Sequence, residues 1–154
     1  MQFNTVILVN GTSIVDGLSA SGLIGRLNAP ILLTEVDNIP KVTLDNVTLA
    51  DKVYLIGGTG VISTSIENKL KSIGNNVVCL GGIDRFSTSY LVADEIQKIK
   101  GIDSLYYVNG LIGQADAMSI APVAAITGNP IILTDGNNTS YRKNIKSYSI
   151  GGLE

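Results

Sequence analysis

The 154-residue chain has no histidine, no tryptophan and a single cysteine. Without histidine there is no Ser-His-Asp or Cys-His catalytic pair and no His-containing zinc site, and one cysteine cannot form an internal disulfide. Cys79 lies in the apolar run VVCLGG (77–82), where a buried, inert thiol is expected. Without tryptophan, sugar recognition by ring stacking would fall to the six tyrosines. Charge is sparse, at 16% of residues and a net −2, with no Lys/Arg run interleaved with aromatics. No nucleic-acid partner is expected from that balance. No apolar stretch approaches the ~20 residues that span a bilayer, so no membrane partner is expected either. The start, MQFNTVILVNG, lacks the charged opening and small-residue cleavage site of a signal peptide.

What the chain does contain is aliphatic: 45% of residues are hydrophobic and 17 are glycine. At this length one ordinary core can be buried, and buried parallel strands suit the composition. The strongest internal signal is a repetition. APILLTE (29–35) returns as NPIILTD (129–135), an offset of 100 residues. At that offset DGLSASGLIGRLNAPILLT (16–34) overlies DAMSIAPVAAITGNPIILT (116–134) without a gap, pairing Asp16 with Asp116 and Pro30 with Pro130. TVILVNG (5–11) matches SLYYVNG (104–110) with a one-residue slip, and KVYLIGG (52–58) matches KSYSIGG (146–152) after a shorter connection. Strand chemistry alone explains aliphatic runs, but not the shared Val-Asn-Gly, Asp and Gly-Gly punctuation. The chain is an internal repeat. Residues 1–78 are expected to be a first copy lacking its opening segment, and 79–154 a second lacking its closing segment.

Seven runs have strand length: TVILV, PILLT, KVYLIG, NVVCLG, SLYYV, PIILT and a weaker SYSIG. Their continuous hydrophobicity predicts strands covered on both faces. Between them, Ile62, Ile66, Leu70 and Ile73 make one helical stripe, with Thr64 and Glu67 as a capping box and Gly74 as the stop. Leu91, Val92, Ile96 and Ile99 make another over 87–100. Segments 16–28 and 116–128, rich in Ala, Ser and Gly, predict closely packed helices. The 40–51 connection holds a turn or a short helix. Strand–helix alternation with short turns predicts a parallel α/β layer fold.

Several motifs carry more than one reading. GGTGVIS (57–63) follows a strand and opens a helix, as a phosphate-binding loop would, but no acid stands cleanly at the end of the next strand. Glycines that simply let a strand turn sharply are the plainer reading. Asp16 and Asp116 read as ordinary first-turn acids of a helix, with paired acid–base chemistry as the alternative. Arg85, beside Ser87, Thr88 and Ser89 at a helix start, is either an anion clamp or one half of a salt bridge. YRKNIK (141–146), with Arg142, Lys143 and Lys146, is either a solvated loop or a contact patch for an anionic polymer.

LGGIDRFSTSYLVADEI (80–96), VNG with the Asp-Ala-Met-Ser to NPIILT block (108–134), and VYLIGGTGVIS (53–63) together resemble the cell-wall-binding type 2 repeats of Gram-positive surface proteins. The resemblance covers nearly the whole chain. It implies layered parallel-sheet repeats, Rossmann- or Toprim-like, that form part of a tandem pseudo-threefold array. It also implies an extracellular, cell-wall location and non-covalent, non-catalytic anchoring of a surface or S-layer protein to an anionic wall polysaccharide. No cofactor or metal is implied; further repeats or self-association are. Arg85, Ser87 and Thr88 match the family's opening motif, and Gly57, Gly58 and Gly60 its turn motif; with Arg142 and Lys143 they are the candidate polymer-binding residues. The alternative is a nucleotide- or phosphosugar-binding α/β enzyme using the turn at 57–63.

Overall fold

A computed structural model of the chain describes residues 3–137, 139–141 and 143–151. The β-branched and aliphatic runs form seven strands: β1 (Thr5–Asn10), β2 (Ile31–Thr34), β3 (Lys52–Ile56), β4 (Asn76–Leu80), β5 (Ser104–Asn109), β6 (Ile131–Thr134) and β7 (Lys146–Ile150). Every pairing among them is parallel. They make two sheets, of order β2-β1-β3-β4 and β6-β5-β7. The second sheet repeats the first three strands of the first, down to the register. Asn10 stands opposite Thr34 as Asn109 stands opposite Thr134. Thr5 stands opposite Lys52 as Ser104 stands opposite Lys146. β4 belongs to the first sheet, so the expected division after residue 78 falls inside that strand.

The helices are α1 (Ile14–Ser19), α2 (Ser21–Leu27), α3 (Lys41–Val47), α4 (Thr64–Ser72), α5 (Arg85–Ile99) and α6 (Gln114–Thr127). The undecided 40–51 connection is therefore helical. The two copies differ at α1–α2, where the helix breaks at Ala20, whereas α6 is continuous even though it contains Pro122. Gly17 and Gly25 of the first copy replace Ala117 and Ala125, and glycine costs about 1 kcal/mol per helical position relative to alanine. The Thr64–Glu67 capping box does not form. Ser63 is the N-cap, and Glu67 is drawn away to Lys71 one turn on. The 62–73 stripe holds at Ile62, Ile66 and Leu70, which are buried, while Ile73 is exposed. Cys79 is exposed on edge strand β4 rather than buried. Desolvation of its thiol, with Glu67 beside it, pushes the group up to about 11, so it is protonated at neutral pH.

The core has three parts. α3 and α4 cover one face of the first sheet over Val6, Leu8, Val53 and Leu55. On the other face, Leu23 of α2 and Val92 and Ile96 of α5 pack on Ile7, Tyr54 and Ile56 and reach Leu105 and Ile132 of the second sheet. The third part joins Val15 and Leu18 of α1 to α6 and to Tyr106, Val108, Ile131 and Leu133. α1 and α2 of the first copy thus dock on α5, α6 and β6 of the second. That docking is used once, so each of its halves is left open once. Ile131 and Leu133 are fully buried, while their equivalents Ile31 and Leu33 are 37% and 56% exposed. Leu23 is fully buried, while its equivalent Val123, with Met118 and Ile126 on the same helix, is exposed.

The contact is backbone-close. A Cβ on Gly25 would fall 1.7 Å from the Ala125 carbonyl oxygen, and one on Gly22 would fall 2.3 Å from that of Asn129. Gly25→Ala is expected to destabilise the chain by about 2 kcal/mol, because forced separation of packed helices outweighs the better helix propensity of alanine. A urea unfolding series measures it, with Gly60→Ala, which meets nothing within 4 Å, as the near-neutral control.

Candidate functional site

In the first sheet the connection leaving β1 runs through α1 and α2 to β2 on one side, and α3 then carries the chain across to β3 on the other. Strand order reverses there, and a crevice opens beyond the carboxyl ends of β1 and β3, the usual ligand position in open parallel sheets. It holds a cavity of about 620 Å³. Ser13 and Asp16 line it from the start of α1, the turns Gly58–Val61 and Gly81–Asp84 from beyond β3 and β4, and Arg85 and Thr88 from α5.

The first two turns are set by one asparagine. Asn10 Oδ1 accepts the backbone N–H of Thr12 at 2.8 Å and its hydroxyl at 2.7 Å, while Nδ2 donates to the Val61 carbonyl at 2.6 Å. The repeated Val-Asn-Gly is thus an Asx turn, formed again where Asn109 accepts from Leu111 and Ile112. The glycine turns lie backbone against backbone. A Cβ on Gly58 would stand 2.5 Å from the Gly82 oxygen, and one on Gly81 would stand 2.1 Å from that of Gly57. Gly57 also holds φ +124°, which disfavours any side chain there. Gly57 and Gly58 of GGTGVIS therefore have a packing reason of their own, whereas Gly60 has open space around it.

α5 begins with a full capping box. Asp84 Oδ1 accepts the Ser87 N–H at 2.7 Å, and Ser87 Oγ accepts the Asp84 N–H at 3.2 Å. Ser87 Oγ also donates to Asp84, so the hydroxyl expected to meet polymer is occupied by the cap. Ser87 faces a neighbouring cavity of about 380 Å³ instead. Thr88 is buried, donating to the Asp84 carbonyl at 2.9 Å and accepting from Gly82 N–H at 3.0 Å, which ties the β4 turn to the helix. Arg85 is exposed, and its Nη1 donates to the Gly110 carbonyl at 2.7 Å, bridging the start of α5 to the end of β5 in the second sheet. Neither a salt bridge nor a helix-end clamp alone describes it.

The structure thus brings Gly58, Gly60, Arg85 and Thr88 to one cavity, sets Gly57 directly behind it, and turns Ser87 to its neighbour. Lys143 lies apart, lining a separate cavity of about 370 Å³ with Tyr107 and Ser149 and standing 5.4 Å from the Tyr141 ring centroid. Arg142 lies outside the described residues. Ser13, Asp16, Asp84 and the exposed Ile83 were not among the expected site residues. Only the repetition of Asp16 as Asp116 hinted at any of them. No group of three or more His, Cys, Asp or Glu able to hold a metal occurs among the described residues, and no described helix is long and apolar enough to cross a membrane.

A family model described as cell wall binding domain 2 matches residues 1–67 and 80–154. The amidase enhancer of Bacillus subtilis (strain 168) is 41% identical over 135 residues, covering 86% of this chain and 18% of that protein. The N-acetylmuramoyl-L-alanine amidase LytC of the same organism is 34% identical over 140 residues, covering 89% and 27%. Among solved structures, Cwp8 from Clostridium difficile superimposes with a TM-score of 0.89 at 32% identity, over 98% of this chain and 27% of that one. Cwp6 from the same organism gives 0.81 at 37%, over 86% and 21%. The chain spans less than a third of each of these relatives.

Hydrogen bonds from the backbone and hydroxyl of Ser87 hold the Asp84 carboxyl below the usual aspartate range. Its folded-state value lies below the unfolded one, so the cap stabilises fully above the unfolded range and fades as pH falls through the folded value. Asp84→Ala is expected to cost about 1 kcal/mol at neutral pH. Urea midpoints of variant and parent should converge as the pH is lowered through the aspartate range.

Proposed function

Because the chain belongs to the cell wall binding domain 2 family and is a cell-wall-binding module, we propose that it holds a surface protein on the wall non-covalently, by binding an anionic secondary wall polymer, without catalysing a reaction. The single observation that carries the site is the cavity at the strand-order reversal, with Arg85 at its mouth. One Arg85 nitrogen is spent on Gly110, and the remaining guanidinium donors face solvent, a fork matched to phosphate or carboxylate. Gly58 and Gly60 shape the opposite wall, and Thr88 fixes the turn that carries Ile83. Ser87 supports the site through the cap. Lys143, at its separate cavity, is a second contact point for the polymer, and Arg142 is proposed beside it on sequence alone.

In this reading residues 1–78 and 79–154 act as two repeats of a longer pseudo-threefold array. The open halves of the docking surface, Ile31 and Leu33 at one end and Met118, Val123 and Ile126 at the other, support it. A further repeat or a second copy would bury both. Weak sites carried on several repeats would then gain strength by avidity. The nucleotide- or phosphosugar-enzyme alternative is less well supported, since a carboxylate, Asp16, lines the cavity and Gly57 and Gly58 are taken up by turn packing.

The chain is expected to co-sediment with purified Gram-positive wall and to lose that retention once anionic polymers have been extracted; equal retention on stripped wall would sink the assignment. Arg85→Ala should weaken retention several-fold. Its thermal midpoint reports separately on the lost Gly110 bond.

A further inference from the structure

The same cavity holds a buried group that the reading above leaves unused. Asp16 is 5% exposed. Its Oδ2 accepts the Ser13 hydroxyl at 2.5 Å, but its Oδ1 is buried without any hydrogen-bond partner. Folded chains rarely leave a buried carboxylate oxygen unmatched, because the lost hydration is not recovered. Helix capping does not account for it, since no side chain caps α1. Asp16 lines the cavity, so a donor entering there meets this carboxylate, which a small side-chain rotation turns toward it.

Charge and donor set decide what that donor is. An anion would meet a like charge in a half-enclosed space, which disfavours phosphate or carboxylate in this inner position. A hard divalent cation needs several oxygen ligands, and no cluster of three acidic side chains exists among the described residues. A hydroxyl donor fits. A carboxylate accepts sugar O–H groups with charge-assisted strength, and the hydroxyls of Ser13 and Thr59 line the same wall. Val61 within and the fully exposed Ile83 at the mouth give apolar surface for the C–H face of a sugar ring, a surface that needs no tryptophan.

We propose that Asp16 reads a hydroxyl of the wall polymer: a neutral, hydroxyl-bearing sugar edge enters the cavity and donates to the Asp16 carboxylate, while the anionic substituent stays outside against Arg85. This rests on the polymer-binding reading and specifies which part of the polymer goes inward. The second copy carries the same carboxylate–glycine pair, with Asp116 beside Gly151 as Asp16 lies beside Gly57.

The test compares the full chain with Asp16→Asn and Asp16→Ala, titrated with wall polymer released by mild acid and with the same polymer after its acidic groups are removed. Thermal midpoints of the free proteins are recorded alongside. Asp16→Ala should melt at or near the parent, because the unmatched acceptor leaves together with the Ser13 bond, and Asp16→Asn, which keeps one unmatched polar atom, close to the parent; both should bind either polymer form about tenfold or more weakly. Arg85→Ala should lose affinity mainly for the intact, anionic form. Unchanged affinity in both Asp16 variants overturns the assignment, as does a lowered midpoint that accounts for the whole loss. Loss of parent binding on adding a chelator also overturns it, by pointing to a cation bridge. If the parent binds neither polymer form, the polymer-binding reading fails and this inference with it; if the parent binds and the variants match it, only the role of Asp16 falls.

Discussion

Everything else in the molecule is arranged around the contact of α1 and α2 with α5, α6 and β6. Gly22 and Gly25 bring the α2 backbone directly onto the end of the second copy, and no side chain could stand between them. Once that distance is set, Leu23, Val92 and Ile96 share one apolar layer between two sheets that have no strand pairing with each other. Arg26 closes the edge by donating Nε–H to the Gly128 carbonyl at 2.8 Å and Nη2–H to that of Gly101 at 3.1 Å. Ser89 of α5 reaches the β6 backbone N–H of Leu133 at 3.0 Å inside the same seam. α5 is held from both sides as a result, and its first turn is aimed at the end of the first sheet.

The position of the cavity follows from this. Strand-order reversal places a crevice beyond β1 and β3 in any such sheet, but its fourth wall is supplied by the start of α5, which the seam locates. The cavity is therefore neither uniformly basic nor a phosphate cradle. Two carboxylates, Asp16 and Asp84, one guanidinium, Arg85, hydroxyls and glycines line it together. Such a mixture suits a ligand with both neutral and charged parts better than a free anion.

Much of this was legible in the residues. The repetition of Asn-Gly, Asp and Gly-Gly at a fixed offset announced two copies, and the structure returns them with identical strand register. Continuous aliphatic runs announced parallel strands, and all seven are present. What stayed hidden depends on long-range contact. Thr64 looked like a cap because a Glu lay three residues on, but Lys71 one turn further held that carboxylate. Cys79 looked buried because its run is apolar, yet β4 is an edge strand, and edge position cannot be read from hydropathy. Ser87 looked like a ligand group until Asp84 engaged it. Asp16 is the first-turn helix acid that its position announces, but its cavity stayed hidden because it is assembled from segments forty to seventy residues away. Periodicity reports on faces, whereas sites are made where chain segments distant in sequence meet.

Arg26 and Ile126 occupy equivalent places, yet one is locked into the seam by two carbonyls and the other stands 86% exposed. Duplicated units with interchangeable surfaces can slip out of order, pairing with whichever neighbour arrives first. Divergent positions remove that freedom, Arg26 beside Gly22 and Gly25 among them. The guanidinium needs the Gly128 and Gly101 carbonyls at a fixed spacing, and an isoleucine in its place would leave both oxygens unanswered. The two copies are thereby given a direction, head against tail, and a place in a sequence of units that neither could exchange with the other.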